Sequence, residues 1–554
     1  MARDADRVGN LVHGGERRPL AAGRSLFDEA VASALAVPAS CRRTGRCREC
    51  LVRVVRGDAQ LSPRAPAEAF LPHGYRLACQ AIVDRTDGDI EFAVLRRRLR
   101  ILAADGSEPA DGLGLDPVVR RSGDRVRYRD EDLGPAAGRL LGVALDIGTT
   151  TVVFELIDLE SGRPLHAAAF ENPQRFGGSD VMARIGYDAE HPGELRRALR
   201  RELNRELQSA YRALRIDRHE VLEAVVVGNP TMRDLFFGLD VGPLGRWPFR
   251  SVTETEVRRG LRPTTGLLRR AHELGVLMHP QGRVVSVPIV AAHVGADTAA
   301  DLVATDFAAQ AGLSLLIDIG TNSEIVIGGG DRVLAASSPA GPAFEGGGVR
   351  YGMAGADGAI ESVRWAGDHF AWRTIGDEPP QGICGSGLVD LLAEAARAGL
   401  IRADSSFAGG RRVIEVAPEQ RVDLSRADVS TLAQAKAANV AGQRILMRRL
   451  GVTPGDIDRV FLAGAFANAL DAANAMAIGL IPPVPLERVL RVGNAALLGA
   501  RALLLSDERR RRLDALVGRI EHVELELEPD FFELFVDGCR FEPEPPGTAG
   551  RSAP

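Results

Sequence analysis

The chain has 554 residues, of which 45% are hydrophobic and 26% are charged, and its formal net charge is −5. This length predicts roughly two to four domains, and the mildly acidic charge argues against a nucleic-acid-binding surface. The six cysteines are too few for a disulfide framework, and the chain has neither an apolar leader nor a run of about 18 apolar residues, so we expect a cytoplasmic protein without a membrane span.

Residues 1–97 are predicted to form a small α+β domain. A hairpin that turns at Gly14–Gly15 precedes a short helix with Ser25 as its N-cap. A loop rich in cysteine follows, then a strand that starts at Leu51 and a closing strand over Asp89–Val94.

Four cysteines carry the chemistry of this domain: Cys41, Cys47, Cys50 and Cys79. Five, two and twenty-eight residues separate them, a pattern typical of a [2Fe–2S] cluster held by three thiolates of one loop and a distant fourth. The loop is one residue longer than the plant-type ferredoxin spacing. A structural zinc site, which usually has two short cysteine pairs, and unliganded thiols are the alternatives.

The residues between the cysteines also bear on the cluster. Gly45 can adopt a positive φ that a tight loop requires. Arg42, Arg43, Arg46 and Arg48 place positive charge beside the ligands, which should raise the cluster potential and could guide an acidic redox partner.

Residues 98–140 are rich in Gly, Pro, Asp and Arg, and we predict a linker with at most a short ordered patch. Hydrophobic patterning then covers residues 141–541, which we divide into a first half, 141–283, and a second half, 284–541. Residues 542–554 are rich in Pro, Gly and Glu and are predicted to be a disordered tail.

One pattern occurs twice in the large region, as Leu-Asp-Ile-Gly-Thr at 145–149 and Ile-Asp-Ile-Gly-Thr at 317–321. A glycine after a strand lets backbone N–H groups approach phosphate, and threonines add hydroxyl donors. Asp146 and Asp318 are placed to hold Mg²⁺ through water. Two ordinary turns are the alternative, but the repetition favours a duplicated α/β fold that binds a nucleotide's phosphates.

The residues predicted to bind the nucleotide lie in these two turns and in two further glycine-rich blocks: Gly148, Thr149, Thr150, Gly320, Thr321, Asn322, Gly385, Ser386, Gly387 and Gly464. For these two blocks, and for the glycine-rich loop that carries Glu345, close backbone packing is an equal alternative. Besides Asp146 and Asp318, the candidate catalytic carboxylates are Asp297, Glu324 and Glu345. Cys384 is interpreted as a buried filler rather than a nucleophile.

These motifs together resemble one family, the ATP-dependent reductive activators of corrinoid-dependent enzymes. The matching segments are the cysteine loop, the two turns and five more: Glu171-Asn-Pro-Gln-Arg-Phe-Gly, Gly228-Asn-Pro-Thr-Met, Pro339-Ala-Gly-Pro-Ala-Phe-Glu-Gly, Gly382-Ile-Cys-Gly-Ser-Gly and Gly464-Ala-Phe-Ala-Asn. The resemblance implies a β-grasp [2Fe–2S] ferredoxin domain followed by a duplicated RNase H-like ATPase of the actin, sugar kinase and heat-shock chaperone (ASKHA) superfamily.

The resemblance also implies a function. One electron passes from the cluster to Co(II) of a corrinoid-binding protein in a methyltransferase system and regenerates Co(I), with ATP and Mg²⁺ as further cofactors. An upstream electron donor is implied, and a homodimer is one candidate assembly. The alternatives are a small-molecule kinase with a regulatory cluster and a redox carrier or sensor that does not hydrolyse ATP.

Two departures from the family pattern are expected. Some members carry a separate middle domain between ferredoxin and ATPase, and residues 98–140 are too few for one, which puts any dimerisation through that domain in doubt. The cluster loop has arginines where relatives often have glycines, so its potential is expected to differ.

Overall fold

The computed structural model describes residues 9–13, 16–33, 37, 43–45, 50–69, 71, 73–94, 115–135, 138–330, 332–464 and 467–542. Cys41, Cys47, the Gly14–Gly15 turn and residues 543–554 of the predicted tail lie outside these ranges, as do Arg42, Arg46 and Arg48. The chain divides into two compact units, residues 1–98 with 173–190 and residues 99–172 with 191–554. Of the helices described, none combines the length and the apolar character that crossing a membrane requires.

The N-terminal unit is a mixed five-stranded sheet with one helix, which is the predicted β-grasp fold. The strands follow the order β2-β1-β5-β3-β4, with β1 parallel to β5 and the other pairs antiparallel. Its elements are β1 (Asn10–His13), β2 (Glu16–Pro19), α1 (Leu26–Ala32), β3 (Leu51–Arg56), β4 (Tyr75–Leu77) and β5 (Ile90–Val94). Helix α2 (Val181–Glu190) also belongs to this unit.

Helix α1 begins where the sequence predicts. The Ser25 hydroxyl accepts a hydrogen bond from the Asp28 N–H, and the Asp28 carboxylate accepts one from the Ser25 N–H, which completes a capping box. Leu26 and Phe27 then pack into the core under the sheet with Phe92 of β5. Local capping and apolar burial therefore fix the helix beside the cysteine loop.

The second unit begins with a small sheet inside the predicted linker. Strands β6 (Val119–Ser122), β7 (Arg125–Tyr128) and β8 (Glu131–Pro135) form an antiparallel meander. Val119 of β6 and Val126 and Tyr128 of β7 are buried in the same core as the sheet that follows. The linker prediction is therefore corrected over 115–135, because burial of these three side chains packs the small sheet against that core.

The two halves of the large region contain sheets with a common five-stranded core. In the first half the order is β11-β10-β9-β12-β14-β13, and in the second it is β24-β23-β15-β16-β17-β25. Each has an antiparallel meander of three strands (β9 to β11, and β15 to β17) extended by two parallel strands beside the first. This common topology confirms the predicted duplicated RNase H-like fold.

The first half contains β9 (Leu141–Ile147), β10 (Thr151–Asp158), β11 (Pro164–Glu171), α3 (Glu194–Leu214), β12 (Val221–Val227), α4 (Pro230–Phe237), α5 (Val252–Arg258), β13 (Leu267–Arg270), α6 (Ala271–Leu274), β14 (Arg283–Ser286) and α7 (Ala296–Ala304). The predicted boundary between residues 283 and 284 falls inside β14 and is wrong. Strand β14 pairs with β12 and β13 of the first sheet, and the second sheet starts only at Ser314.

The second half contains β15 (Ser314–Ile319), β16 (Ser323–Gly329), β17 (Arg332–Ser338), β18 (Ala359–Trp365), β19 (Phe370–Thr374), β20 (Gly382–Ile383), α8 (Gly385–Arg397), β21 (Val413–Ala417), β22 (Val422–Ser425), α9 (Arg426–Leu450), β23 (Arg459–Ala463), α10 (Ala472–Ala477), β24 (Val489–Gly493), α11 (Ala495–Leu505), α12 (Asp507–Val517), β25 (Ile520–His522) and α13 (Phe531–Gly538).

Helices α7 and α11 join the two halves. A Cβ placed on Gly499 of α11 would lie 1.9 Å from the Ala300 carbonyl oxygen of α7, so only glycine permits this approach. Both helices also contribute to the core of the first half. The ends of this helix pair supply polar groups to the site described below.

The single lysine of the chain, Lys436, is buried in α9. Its Nζ donates a hydrogen bond to the Arg540 carbonyl oxygen and lies 5.6 Å from the ring centroid of Phe541. We expect Lys436→Met to lower the free energy of unfolding by about 1–3 kcal/mol, because the partly buried Arg540 carbonyl loses its charged donor. Urea unfolding measures this loss, and the exposed Gln434→Met is the control; equal midpoints for the two variants would contradict the assignment.

Candidate functional site

The two predicted turns follow β9 and β15 and lie together in the second unit. The Thr150 and Thr321 hydroxyl oxygens are 3.5 Å apart. Because the two strands occupy the same position in duplicated sheets, their carboxyl ends face each other across the cleft between the halves. The structure therefore brings together the turns that the repeated motif singled out.

One carboxylate bridges the two turns. The Thr150 hydroxyl donates a hydrogen bond of 2.8 Å to Glu345 Oε2, and the Thr321 hydroxyl donates to the same oxygen. Glu345 lies in a glycine-rich segment after β17, where Gly341, Gly346 and Gly348 all have positive φ. A side chain on this segment therefore contacts hydroxyl groups of both halves.

Two asparagine side chains donate hydrogen bonds to the first turn. Asn172 Nδ2 donates to the Gly148 carbonyl oxygen at 2.8 Å, and Asn229 Nδ2 donates to the Thr149 hydroxyl at 3.0 Å. Asn229 also caps α4 by accepting from the Met232 N–H. Sequence reasoning gave neither asparagine a role, although an Asn-Pro pair at a helix start is a recognisable capping signal.

Five carboxyl groups line the base of the cleft. Asp146 ends β9, Asp318 ends β15 and pairs in register with Glu324 of β16, and Asp297 and Asp301 lie one turn apart on α7. Asp301, which the sequence analysis missed, is fully buried. The structure thus brings four of the five predicted catalytic carboxylates together with Asp301, which was not predicted.

Three of these carboxyl groups accept a hydrogen bond that fixes their position. Asn494, the N-cap of α11, donates to Asp146 Oδ2 at 2.9 Å. The Ser337 hydroxyl donates to Glu324 at 3.1 Å, and the Thr298 N–H donates to Asp297 at 2.8 Å. Both carboxyl oxygens of Asp301 are buried without a hydrogen-bond partner among the described residues.

Burial raises the pKa of every member of this group, and neighbouring carboxylates raise it further for all of them except Asp297. Burial is the main cause and raises the pKa of Asp146 to about 7, that of Asp297 to about 6 and that of Asp318 to about 8. The pKa values of Asp301 and Glu324 lie well above their usual ranges for the same reason, with neighbouring charges adding to the effect. Such a cluster attracts a cation strongly.

The donor set fits a hydrated Mg²⁺. Within the ranges that the structure describes, three or more His, Cys, Asp or Glu side chains nowhere lie close enough to chelate one metal ion directly. Mg²⁺ retains several waters and is usually held by one or two carboxylates together with substrate phosphates. The cluster beside the two threonine turns therefore suits Mg²⁺ bound through water, and the assignment of that role to Asp146 and Asp318 stays a prediction.

The raised pKa of Asp318 gives a pH dependence. The folded protein keeps this proton up to about pH 8, whereas the unfolded chain releases it near the ordinary value of 3.8, so Asp318 lowers stability progressively as pH rises through this window. We expect Asp318→Asn to raise the free energy of unfolding by an amount that grows from about pH 5 to about pH 8. The slope should be at most about 1.4 kcal/mol per pH unit. Calorimetry without Mg²⁺ measures it, and a pH-independent difference would refute the assignment.

Glycine is required at the end of β23. Gly464 has φ +114°, and a Cβ there would lie 2.3 Å from the Ile319 carbonyl oxygen and 3.1 Å from Asp318 Oδ1. The chain can therefore pass directly behind the second turn only without a side chain at this position. Its predicted contact with nucleotide stays a prediction.

The block at the start of α8 packs against β18. The Ser386 hydroxyl donates to the Glu361 carbonyl oxygen at 2.8 Å, and a Cβ on Gly387 would lie 2.3 Å from the Ile360 carbonyl oxygen. Close packing therefore accounts for Ser386 and Gly387, while nucleotide binding by Gly385, Ser386 and Gly387 stays a prediction. Cys384 is buried and its pKa is raised by burial, which confirms the interpretation as a filler.

The described cysteines of the N-terminal unit form a pair. Cys50 Sγ and Cys79 Sγ are 3.3 Å apart, and both are free thiols. Two sulfurs on one tetrahedral metal with bonds of about 2.3 Å stand about 3.8 Å apart, so this pair is placed to ligate the same iron. The hydrogen bond from Cys50, aided by Gln80 and by the Gly45 N–H, lowers the pKa of Cys79 to about 6, which favours a ligating thiolate.

The one described loop arginine is already paired. The Arg43 guanidinium contacts Asp28 at 2.6 Å and lies 4.6 Å from the centroid of the Phe27 ring. Its charge is therefore partly neutralised within the domain, which weakens its predicted effect on the cluster and on a partner. Gly45 has φ +78°, which confirms the predicted need for glycine.

Three family models match the chain. They are described as a 2Fe-2S iron-sulfur cluster binding domain over residues 13–84, the RACo middle region over 141–310, and the C-terminal domain of RACo, the ASKHA domain, over 312–546. The corrinoid activation enzyme RamQ of Eubacterium limosum is 32% identical over 429 residues, covering 73% of this chain and 70% of that protein.

The chain belongs to the family of reductive activators of corrinoid proteins. A second relative, the Co(II) methylated amine-specific corrinoid protein reductase of Methanosarcina barkeri, is 27% identical over 400 residues, covering 67% of this chain and 71% of that protein. The solved structure of a reductive activator for corrinoid, iron-sulfur protein superposes with a TM-score of 0.68 at 28% identity and covers 96% of this chain and 98% of its own.

Membership of this family corrects one expectation. The family's middle region matches residues 141–310, which include the whole predicted first half of the ATPase. The region that this family model calls the middle region therefore lies within the duplicated fold, and dimerisation stays a prediction.

Proposed function

We propose that the protein uses ATP hydrolysis to reduce the Co(II) form of a corrinoid-binding protein. One electron leaves the reduced cluster and converts Co(II) to Co(I), while ATP and water yield ADP and phosphate. The observation that carries this proposal is the joining, in one chain, of a paired-cysteine ferredoxin unit with a cleft whose two threonine turns converge on Glu345. When bound, the [2Fe–2S] cluster supplies one-electron chemistry.

We assign the cleft residues by their geometry. Backbone amides and hydroxyls of residues 148–150 and 320–322 hold the phosphates, and Asp146 and Asp318 hold hydrated Mg²⁺. Uphill electron transfer costs about 1.4 kcal/mol for each ~59 mV. ATP hydrolysis supplies enough free energy to offset a potential gap of several such steps of ~59 mV. Closing the cleft on the phosphates can couple this free energy to a change in the partner.

Among the candidate carboxylates, Glu345 is best placed to orient the attacking water. Asp297 and Glu324 are held by hydrogen bonds from Thr298 and Ser337. Glu345 accepts only from the hydroxyls that a phosphate would engage. Phosphate binding would therefore free its carboxylate at the place where the terminal phosphate lies.

Glu345→Gln should slow ATP hydrolysis by about 100-fold or more, because an amide cannot accept the proton of the attacking water. ATP binding should persist, because the two threonine turns that hold the phosphates are unchanged. Phosphate release and nucleotide titration measure the two effects. The exposed Glu378→Gln is the control. If the Glu345→Gln variant hydrolyses ATP at the wild-type rate, Glu345 does not take part in hydrolysis.

We infer the finer partners and the location from the same chemistry. The cluster must be reduced again after each transfer, so an upstream one-electron donor is required. A reducing compartment keeps cysteine thiols available for cluster ligation, which supports a cytoplasmic location. A homodimer stays a prediction.

Phosphorus NMR of the products separates the three functions. With reduced protein, Mg²⁺-ATP and a Co(II) corrinoid protein, the proposal predicts ADP and inorganic phosphate together with Co(I). A small-molecule kinase would instead form a phosphate ester, and a carrier without hydrolysis would leave ATP intact. Either of these last two results would overturn the proposal.

A further inference from the structure

The side chain that follows the fourth cysteine faces the cluster site. Gln80 Nε2 lies 2.7 Å from the Arg43 carbonyl oxygen and 3.4 Å from Cys79 Sγ. A carbonyl oxygen and a thiolate are both acceptors, so the amide must present its NH₂ group to them, and the orientation is not ambiguous.

The loop segment that receives this amide is held firmly. Arg43 is anchored to α1 through Asp28 and the Phe27 ring. A Cβ on Gly45 would lie 3.1 Å from Gln80 Cγ, so the glutamine packs closely against the loop backbone. Gln80 therefore links the cysteine loop to the turn of Cys79 and is fixed at both ends.

We propose that Gln80 is a positioning residue that raises the reduction potential of the cluster through its N–H···S hydrogen bond to Cys79. Reduction adds one electron to the cluster and increases the negative charge on its sulfur ligands. A donor aimed at a ligand sulfur stabilises this reduced state more than the oxidised one. The inference depends on the [2Fe–2S] cluster and not on the ATP or cobalt steps.

The geometry separates Gln80 from the other charges near the loop. The Arg43 side chain is directed to Asp28 and Phe27, so only its carbonyl group takes part in this network. The Gly45 N–H also acts on the pKa of Cys79, but a backbone group survives any side-chain substitution. Gln80 is a side-chain donor to Cys79 that a substitution can remove while leaving the loop backbone in place.

The first test replaces Gln80 with Leu in the full-length protein. An EPR-monitored redox titration should give a more negative midpoint potential than the wild type, with unchanged iron content. Gln60→Leu, the same change elsewhere in the ferredoxin unit, should keep the wild-type potential. Equal midpoint potentials for Gln80→Leu and the wild type would overturn the proposal. If the Leu variant fails to load its cluster, the same titration is done on Gln80→Met, which also lacks a donor.

A second test needs no variant. Wild-type protein labelled with ¹⁵N in its glutamine side chains should show a weak ¹⁵N hyperfine coupling in pulsed EPR of the reduced cluster, since the amide nitrogen lies 3.4 Å from a ligand sulfur. The coupling should vanish in Gln80→Leu and persist in Gln60→Leu. Its absence from the wild type would show that Gln80 does not bond to the cluster ligand.

Discussion

Asp318→Asn should reduce ATP-stimulated electron transfer by about 100-fold or more while leaving the visible spectrum of the cluster unchanged. Asp318 ends the strand that leads into the second turn, and its pKa is raised by burial and then by the charges of Asp297 and Asp146. A Mg²⁺ ion with its phosphates would favour the ionised form, and the amide cannot take that charge. Loss of one preorganised electrostatic contact of this kind typically costs about 10²–10³ in rate.

The same substitution should make the protein more stable, because it removes a charge from a crowded site. Activity and stability therefore move in opposite directions, which separates a catalytic role from damage to the fold. ATP hydrolysis and calorimetry on one preparation measure both. The exposed Asp368→Asn should change neither, and an Asp318 variant that keeps half of its ATP-stimulated activity would refute the assignment.

Cys79→Ser should abolish the [2Fe–2S] EPR signal of the reduced protein and all transfer of electrons to Co(II). The Cys50 and Cys79 sulfurs are close enough to share one iron, and a serine hydroxyl stays protonated where the thiol of Cys79 has its pKa lowered to about 6. Mg²⁺-ATP binding should remain, because the carboxylate cluster and threonine turns belong to the other unit.

Iron analysis and nucleotide titration of the same Cys79→Ser sample test this separation. Cys539→Ser, a cysteine of the ATPase unit that lies outside any described cysteine pair, should retain both cluster and activity. A Cys79 variant that remains brown with an unchanged EPR signal would exclude this residue as a ligand.

The repeated Asp-Ile-Gly-Thr segments predicted where the two turns meet, because their residue types determine the local backbone geometry. A buried strand, an acidic residue near its end and a Gly-Thr turn specify one corner of an α/β sheet, and two copies specify two facing corners. The Ser25 capping box and the strands from Leu51 and Asp89 were predictable for the same reason, since neighbours in sequence determine them.

The parts that were missed depend on tertiary packing. Asp301 joins the carboxylates only because α7 crosses the base of the cleft, and Asn494 reaches Asp146 from 348 residues away. A signal was present, since Asp297 and Asp301 lie four residues apart in an otherwise small and apolar helix. The sheet over 119–135 was missed because its strands are short and its apolar positions are few.

The rate at which Co(I) appears in a purified Co(II) corrinoid protein, with and without ATP, tests the central claim most directly. Under strict exclusion of oxygen, the reduced protein and Mg²⁺ should generate the Co(I) absorbance rapidly with ATP and slowly with a non-hydrolysable analogue, and Asp318→Asn should match the analogue. If Co(I) appears equally fast without any nucleotide, the cleft does not drive the electron transfer and the proposed coupling is wrong.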